Sequence, residues 1–291
     1  KMKNRLHDKP IIKPMTLGGV QFGLDYGITN TTGKVSENVS LEIIRHAINE
    51  GIQYIDTAAV YGDSEKVIGK ALNGKWSNLV NIITKLSPLQ EYDNANISEI
   101  HWSHIVRNSV LNSCSNLNAS VIHAVMLHRA SQLHNETIIN ELLSLKQENI
   151  IEKIGVSVQT VKELKDALVN EHISIIQMPY NLLDYRWDPI IEHLKFARKD
   201  RGLLVHARSA LLQGLLCTDD LKKWDYAGIV NSGAVISWLN KKYKQYKKVD
   251  IADLCIGYVN SQDWIDSVVV GVTSLADLLA NLQSISMPFL Q

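Results

Sequence analysis

Short apolar runs recur along this chain, and a segment with helical spacing of apolar residues follows each of them. The runs do not alternate apolar with polar residues, which is typical of parallel strands buried on both faces. The eight runs are Met15 to Val20, Ile52 to Asp56, Asn81 to Lys85, Val121 to Leu127, Lys153 to Ser157, Ser174 to Met178, Gly202 to His206 and Ser267 to Val272. Eight strand–helix units predict an α/β fold, a closed (β/α)8 TIM barrel with its active site at the C-terminal ends of the strands.

The segments between the runs carry helix signals. Leu41, Ile44 and Ile48 follow the spacing of one buried helix face. Thr160 with Glu163 predicts a capping box. In this motif the side chain of each residue accepts a hydrogen bond from the backbone N–H of the other at the start of a helix. These signals support helices in the positions that a barrel requires.

A doubly wound open sheet is the alternative fold for this pattern. That fold binds dinucleotides through a glycine-rich turn after its first strand, with the spacing G-x-G-x-x-G. The corresponding segment here is Gly18-Gly19-Val20-Gln21-Phe22-Gly23, in which the glycines stand at other positions. The pattern therefore favours the barrel, as a single domain over residues 1–291.

Composition excludes several classes of protein. The 291 residues carry 30 Lys+Arg and 30 Asp+Glu, whereas a nucleic-acid-binding surface needs an excess of positive charge. No stretch approaches the roughly 18 apolar residues of a membrane span, and Lys1 to Lys13 lacks the apolar run of a signal peptide. Cys114, Cys217 and Cys255 lack metal-ligand spacing and fit a reducing compartment. We expect a cytoplasmic protein without nucleic-acid, membrane or metal partners, and the sequence predicts no oligomeric state.

Four polar residues mark the C-terminal ends of three successive predicted strands. Asp56 ends the second run and Tyr61 follows it, Lys85 ends the third, and His128 follows the fourth. In a barrel these ends are neighbours around one mouth. A Lys beside a Tyr favours the phenolate and lowers the Tyr pKa from its ordinary value of about 10, and a carboxylate keeps that Lys charged. The set predicts a site in which Tyr61 protonates an oxygen and His128 orients a carbonyl.

Motifs around these positions resemble the aldo-keto reductase superfamily over nearly the whole chain. The matching pieces are Asp56-Thr57-Ala58 with Tyr61-Gly62 and Glu65, Thr84-Lys85, Leu127-His128, Ile154-Gly155-Val156-Ser157, Gln177 with Tyr180-Asn181, and Gly271-Val272-Thr273-Ser274 with Asn281. The resemblance implies that the four strand-end residues match the family's catalytic tetrad. It also implies hydride transfer from a nicotinamide cofactor to a small-molecule aldehyde or ketone, with Tyr61 as the general acid.

The resemblance assigns the cofactor contacts less completely. Ser157 and Gln177 match the residues that hold the nicotinamide carboxamide and ring, and Gly19 and Val20 are expected under that ring. Val158 stands where an Asn often follows the Ser, so one carboxamide contact of the family is not matched here.

Arg208-Ser209 stands where many family members have Tyr-Ser, with the Tyr stacked on the nicotinamide. A guanidinium plane also packs flat on rings, so Arg208 can take that place. The segment from Arg208 to Leu216 resembles a bacterial branch of the superfamily that is often associated with sugar or surface-polysaccharide pathways.

The last strand and helix bear on the choice between NADP(H) and NAD(H). Family members commonly place Arg, Lys or Gln near the adenosine 2′-phosphate. The residues expected to contact the cofactor there in this chain are Ser274, which is uncharged, Asp277, which is acidic, and Asn281. A carboxylate repels a 2′-phosphate and accepts from a free ribose hydroxyl. Ser274 and Asp277 also form a capping-box pattern, in which the Asp supports the helix and reports nothing about the cofactor. Both cofactors stay open, with NADP(H) narrowly favoured by the habit of the family.

Two other functions are compatible with such a barrel. A lyase would use Lys85 as a Schiff-base nucleophile, although Asp56 beside it is expected to keep the ammonium protonated. A nucleotide-binding sensor or subunit would use the same cavity without turnover. The sequence does not identify the carbonyl substrate, because the loops after the strands set specificity in this architecture.

Overall fold

Each predicted apolar run contributes a strand to one parallel sheet, and the sheet closes on itself in the order β1 to β8. The computed structural model describes residues 15–76, 78–89, 92, 97–287 and 289. The strands are β1 (Met15–Gly18), β2 (Tyr54–Asp56), β3 (Asn81–Lys85), β4 (Ile122–Leu127), β5 (Ile151–Ser157), β6 (Ile173–Pro179), β7 (Leu204–Arg208) and β8 (Ser267–Gly271). The predicted (β/α)8 barrel is confirmed and the open-sheet alternative is wrong. The segment Lys1 to Lys13 lies outside the described residues.

Closure of the ring brings the C-terminal strand ends together. β1 pairs with β2 on one side and with β8 on the other, so that Gly18 stands opposite both Asp56 and Gly271. A side chain at Gly18 would lie only 3.1 Å from the Gly271 backbone nitrogen. Glycine therefore lets the first and last strands approach closely where the ring closes.

β7 begins two residues later than the sequence predicts. The predicted run starts at Gly202, but this residue has a φ of +69° and its N–H donates to the Arg198 carbonyl at 3.0 Å. A left-handed glycine of this kind ends a helix and cannot begin a strand. β7 also runs two residues beyond the predicted end at His206, so that Arg208 is its last residue and lies at the barrel mouth.

Helices occupy the connections between the strands, as the periodicity predicts. They are α1 (Val20–Gly23), α2 (Glu37–Asn49), α3 (Ser64–Ala71), α4 (Glu99–Leu117), α5 (Glu136–Gln147), α6 (Val161–Val169), α7 (Ile191–Arg201), α8 (Leu221–Tyr226), α9 (Ser232–Gln245), α10 (Ile251–Asn260) and α11 (Leu275–Ser286). Both predicted capping boxes are confirmed: the Thr160 hydroxyl accepts from the Glu163 N–H at 3.2 Å, and the Ser274 hydroxyl accepts from the Asp277 N–H at 3.1 Å. Within the described ranges, no helix is long and apolar enough to cross a membrane.

α8 and α9 form an insert between β7 and α10 with an apolar cluster of its own. Trp224 is fully buried in this cluster with Leu239 and Leu254. Its indole N–H donates to the Thr218 carbonyl at 2.8 Å, so the polar edge of the ring is also satisfied. The insert is thereby fixed against α10, beside the barrel mouth.

The inside of the barrel has an apolar part and a polar part. Ile83 and Met126 belong to a buried apolar cluster there. On the polar side, the Thr16 hydroxyl lies 2.7 Å from the Ser267 hydroxyl and 3.4 Å from Nδ1 of His206. His206 is buried, its Nε2 has no partner, and burial lowers its pKa to about 4. His206 is therefore neutral at pH 7 in the folded protein.

We expect acid to destabilise the fold through His206. The ordinary pKa of histidine is 6.5 and that of folded His206 is about 4, so between these values the unfolded chain binds a proton that the folded chain does not. The contribution of His206 to the free energy of unfolding is therefore fully present above pH 6.5 and is lost as the pH drops toward 4, by about 3 kcal/mol for a shift of this size. Urea denaturation across this pH range should show a shallower fall for His206→Asn than for the wild type. The exposed His193→Asn is the control and should retain the wild-type slope; an equally steep fall in His206→Asn would contradict the prediction.

Candidate active site

The ammonium group of Lys85, at the end of β3, is the centre of the site. Its Nζ donates to the two carboxylate oxygens of Asp56 at 2.7 and 2.6 Å and to the Thr57 carbonyl at 2.9 Å. Each of the three ammonium protons thus has an acceptor. Burial by itself would lower the pKa of Lys85, but the charge and hydrogen bonds of Asp56, together with the nearby Tyr61 oxygen, outweigh burial and the pKa is raised. Lys85 is therefore held in place as a cation.

Gln177 is a further partner of the Asp56 carboxylate. Its Nε2, on β6, donates to Asp56 Oδ1 at 2.8 Å. A buried ion pair is stable only when its remaining donors and acceptors are also satisfied, and the Gln177 amide meets part of that requirement. The residue that the resemblance assigns to the cofactor thus also holds Asp56, and it lines the cavity described below.

Tyr61 lies on the loop after β2, with its ring between two other members of the set. Lys85 Nζ is 5.1 Å from the centre of the Tyr61 ring. The rings of Tyr61 and His128 meet edge to face, with centroids 6.2 Å apart and planes at 88°. The structure therefore brings Asp56, Tyr61, Lys85 and His128 together at the barrel mouth.

Close backbone contact positions the Tyr61 loop. A side chain at Gly23 would lie 1.7 Å from the Tyr61 carbonyl oxygen, and one at Gly62 would lie 2.4 Å from the Gly23 carbonyl oxygen. Gly62 also has a φ of +53°, which favours glycine. The Ser64 hydroxyl adds a hydrogen bond to the Gly19 carbonyl at 2.7 Å. The loop that carries Tyr61 is thus packed directly on the segment that follows β1.

His128 directly follows β4 and carries no charge at neutral pH. Burial lowers its pKa to about 4, and the positive charges of Lys85 and Arg208 contribute to this direction. Its Nδ1 is buried and has no partner. A neutral imidazole keeps one N–H, so His128 is able to donate a single hydrogen bond to a ligand.

These residues line one part of a cavity of about 750 Å³. Its lining includes Gly18, Gly19, Val20, Gln21, Tyr26, Asn30, Asp56, Tyr61, Lys85, His128, Ser157, Gln177, Arg208, Ser209, Gln213, Gly271, Thr273, Asp277 and Asn281. Every predicted catalytic and cofactor residue is on this lining except Ser274, which lies beside it as the N-cap of α11. Across the described residues, no group of three or more His, Cys, Asp or Glu side chains is placed to hold a metal ion.

Asp277 faces the cavity while it caps α11. Its Oδ2 accepts from the Thr273 N–H at 2.9 Å, the Thr273 hydroxyl at 2.8 Å and the Ser274 N–H at 3.0 Å. One carboxylate oxygen is therefore fully used by the start of the helix. The charge of the group still lies on the cavity wall.

Arg208 extends from the end of β7 into the same cavity. Its guanidinium makes two long hydrogen bonds, with the Ser209 hydroxyl at 3.3 Å and the Val158 carbonyl at 3.4 Å. Burial lowers the pKa of Arg208, and the Tyr61 and Tyr26 hydroxyl groups act in the opposite direction. An arginine stays charged under any physiological condition, so the cavity holds a partly buried cation here.

Gln21 is a cavity residue that the sequence does not predict. Its Oε1 is buried and has no partner, and the side chain lies 2.3 Å from where a side chain at Gly271 would begin. The glycine at the end of β8 thus makes room for the Gln21 amide. The position of Gln21, two residues after Gly19, is the one signal that could have indicated it.

Two loops meet over the cavity, and they add Asn30 and Gln213 to the unpredicted residues. Asn30 Oδ1 accepts from the Gly33 N–H at 3.1 Å and organises the loop after β1. The Ile28 N–H donates to the Gln213 carbonyl at 3.0 Å, which joins this loop to the loop after β7. The polar turn sequence around Asn30 predicts a loop, but not its contact with a segment nearly two hundred positions away.

Residues 14–291 match the sequence model of the Aldo/keto reductase family, which covers nearly the whole chain. This chain belongs to the aldo/keto reductase family. It is therefore an enzyme of this class, and the predicted resemblance is confirmed. D-arabinose 1-dehydrogenase of Saccharomyces cerevisiae is 27% identical to this aldo/keto reductase over 294 residues, covering 93% of this chain and 82% of the relative. The uncharacterized oxidoreductase YqkF of Bacillus subtilis is 25% identical over 263 residues, covering 85% and 82%.

Solved structures of aldo-keto reductases share the fold. The holo form of one from Bacillus halodurans superposes with a TM-score of 0.74 at 21% identity, covering 95% of this chain and 88% of that chain. One from Klebsiella pneumoniae, solved in complex with NADPH, superposes with a TM-score of 0.65 at 19% identity, covering 94% and 86%. At these identities the likeness shows the shared barrel.

We expect Gly23→Ala to impair turnover by displacing Tyr61. The new methyl group would meet the Tyr61 carbonyl oxygen at 1.7 Å, so the loop has to move. A displacement of about 1 Å at a reacting group lowers turnover by up to about a hundredfold. Steady-state kinetics with a reactive aldehyde should show the loss in kcat, with the affinity for the cofactor less affected. Gly233→Ala, at a glycine with nothing within 4 Å of the added carbon, is the matched control; equal kcat values in both variants would contradict this account.

Proposed function

We propose that this aldo/keto reductase reduces an aldehyde or ketone to an alcohol, with Tyr61 as the general acid. NAD(P)H, when bound, supplies the hydride to the carbonyl carbon. Tyr61 supplies the proton, which passes from its hydroxyl to the carbonyl oxygen. The observation that carries this proposal is the contact of Tyr61 with Lys85 on one side and His128 on the other.

The Lys85–Asp56 pair supports the role of Tyr61 electrostatically. When Tyr61 gives up its proton, the phenolate that remains lies beside a cation that is already oriented. Lys85 needs no rearrangement at that moment, because Asp56 and the Thr57 carbonyl fix its three protons. Such preorganised charge is an effective source of catalysis in a site shielded from water.

We assign to His128 the orientation of the substrate carbonyl. A pKa of about 4 keeps the imidazole neutral, so it donates one N–H and does not compete with Tyr61 as an acid. Since Nδ1 is buried without a partner, we assign the donating N–H to Nε2. Two donors, the Tyr61 hydroxyl and the His128 N–H, then converge on one carbonyl oxygen.

The cavity fits a nicotinamide dinucleotide by its donors and acceptors. Gln21 Oε1 is a buried acceptor without a partner, which a hydroxyl or amide of the cofactor would satisfy. The first turn of α11 offers backbone N–H groups that bind phosphate. The residues that would hold the cofactor are Gly19, Val20, Asp56, Ser157, Gln177, Arg208, Ser209, Ser274, Asp277 and Asn281. NADP(H) stays narrowly favoured over NAD(H), and the NADPH complex of the Klebsiella pneumoniae structure supports this choice.

The proposed substrate is a small-molecule carbonyl compound. The three cysteines, Cys114, Cys217 and Cys255, are free thiols, which supports the predicted cytoplasmic location.

The lyase alternative is opposed by the same geometry that supports the reductase. A Schiff-base nucleophile has to be a neutral amine, whereas Lys85 is surrounded by three acceptors and its pKa is raised. Asp56, Tyr61 and His128 lie together at one site, which a sensor without turnover would not require.

Tyr61→Phe should abolish most turnover and preserve cofactor binding. The variant keeps the ring beside Lys85 and His128 and removes only the acidic proton, so we expect kcat to fall by about a hundred- to ten-thousandfold. The measurement is the oxidation of NADPH with a reactive aldehyde, together with calorimetric titration of the cofactor. Tyr26→Phe, at another tyrosine on the cavity lining, is the control and should lose less than about tenfold. Full activity of Tyr61→Phe would exclude Tyr61 as the acid.

Asp277→Asn should tighten NADPH more than NADH. Removal of the charge relieves repulsion of a 2′-phosphate, and a partly exposed charge pair of this kind is worth about 1 kcal/mol, or about fivefold in affinity. The amide oxygen can still accept from the Thr273 and Ser274 N–H groups, so α11 keeps its start. Titration of both cofactors into the wild type and the variant measures the ratio. An unchanged ratio would show that Asp277 acts only as a helix cap.

A further inference from the structure

Arg208 is a cation on the cavity wall that has no carboxylate partner among the described residues. Its two hydrogen bonds go to a hydroxyl, that of Ser209, and to a backbone carbonyl, that of Val158. Lys85 and Asp56, in contrast, form a direct ion pair at 2.6 Å. The positive charge of Arg208 is therefore left uncompensated at close range.

This charge acts on the catalytic set. Burial lowers the pKa of His128, and the charges of Lys85 and then Arg208 add to that effect while Asp56 opposes it. Burial also dominates the lowered pKa of Arg208 itself, against the nearby oxygens of Tyr61 and Asp56. Arg208, Tyr61 and His128 line the same cavity, so the charge of Arg208 also acts on a ligand that reacts there.

The reactive end of the cavity thus carries one net positive charge. The Lys85–Asp56 pair carries no net charge and His128 is neutral, which leaves the charge of Arg208. The cavity also has acidic groups at the starts of two helices, and these are bound there. Asp250 accepts from the Asp253 N–H at 2.8 Å to cap α10, and Asp277 caps α11.

We infer that Arg208 makes this enzyme bind the reduced nicotinamide cofactor more tightly than the oxidised one. The inference rests on the proposed function, because hydride transfer requires the nicotinamide ring to meet the carbonyl group at Tyr61 and His128. The ring is a cation in the oxidised cofactor and is neutral in the reduced one. A fixed guanidinium charge beside the ring therefore raises the free energy of the oxidised complex and leaves the reduced complex almost unchanged.

Two consequences follow for the reaction cycle. The bound couple is easier to reduce than the free couple, and each tenfold preference for the reduced form corresponds to about 30 mV of two-electron potential. The oxidised cofactor also leaves more readily after the carbonyl is reduced, and product release often limits turnover in well-evolved enzymes. Arg208 then acts as a determinant of redox-state specificity.

Isothermal titration calorimetry of the purified protein with NADPH, NADP+, NADH and NAD+ tests this inference by binding alone. We expect the wild type to bind the reduced form of its preferred cofactor about tenfold or more tightly than the oxidised form. Arg208→Gln and Arg208→Met remove the charge and should lower this ratio at least about fivefold, chiefly through tighter binding of the oxidised form. Arg208→Lys keeps the charge and should retain most of the ratio. Lys195→Gln removes an exposed charge that pairs with Glu192 and Asp263 on the outside of the barrel and should leave the ratio unchanged.

The outcomes separate this inference from the proposed function. If the wild type binds both forms equally, or if the neutral variants weaken both forms by the same factor, Arg208 is a general contact and the inference is wrong. If neither form of either cofactor binds the wild type, the proposed function fails and the inference fails with it. The two neutral variants are alternatives to each other, so the comparison stands if circular dichroism shows that one of them does not fold.

Discussion

The buried ion pair between Lys85 and Asp56 is the interaction on which the rest of the site depends. Taking two charges out of water is costly, and the pair is stable only because its other donors and acceptors are satisfied. The Thr57 carbonyl accepts a hydrogen bond from the third N–H of Lys85, and the Gln177 amide on β6 donates to Asp56. These contacts join the ends of β2, β3 and β6. A shift in the register of any of these strands in the closed sheet would therefore break up the site.

The position of Tyr61 depends on the same strand through its backbone. The Gly19 N–H donates to the Asp56 carbonyl at 2.7 Å, and the Gly19 carbonyl accepts from the Ser64 hydroxyl at 2.7 Å. The segment after β1 is thus hydrogen-bonded to the end of β2 and to the helix that follows the Tyr61 loop. The contact of Gly23 with the Tyr61 carbonyl closes this arrangement. A movement of β2 would consequently move Tyr61, its charged neighbour Lys85 and the segment after β1 together.

The sequence predicts the parts of the site that lie at strand ends, and it fails where loops meet. Asp56 and Lys85 end apolar runs, so a parallel barrel necessarily brings them to one mouth once the runs are recognised as strands. Arg208 follows a run that was predicted two residues early, because Gly202 ends a helix in the left-handed conformation. Gln21 and Gln213 carry no comparable signal. Their places depend on contacts between segments far apart in the sequence, such as the hydrogen bond from Ile28 to the Gln213 carbonyl.

Asp277 shows how the fold also restricts the chemistry at a helix start. Its carboxylate makes three hydrogen bonds that begin α11, and loss of such a cap costs about 1 kcal/mol of stability. A cation at this position would leave the Thr273 and Ser274 groups without their acceptor. The negative charge on this part of the wall is therefore set by the start of the helix. Arg208, in contrast, does not cap a helix, and its guanidinium makes only two long hydrogen bonds. The cavity thus combines an acidic group that the fold requires with a basic group whose contacts leave it available to the ligand.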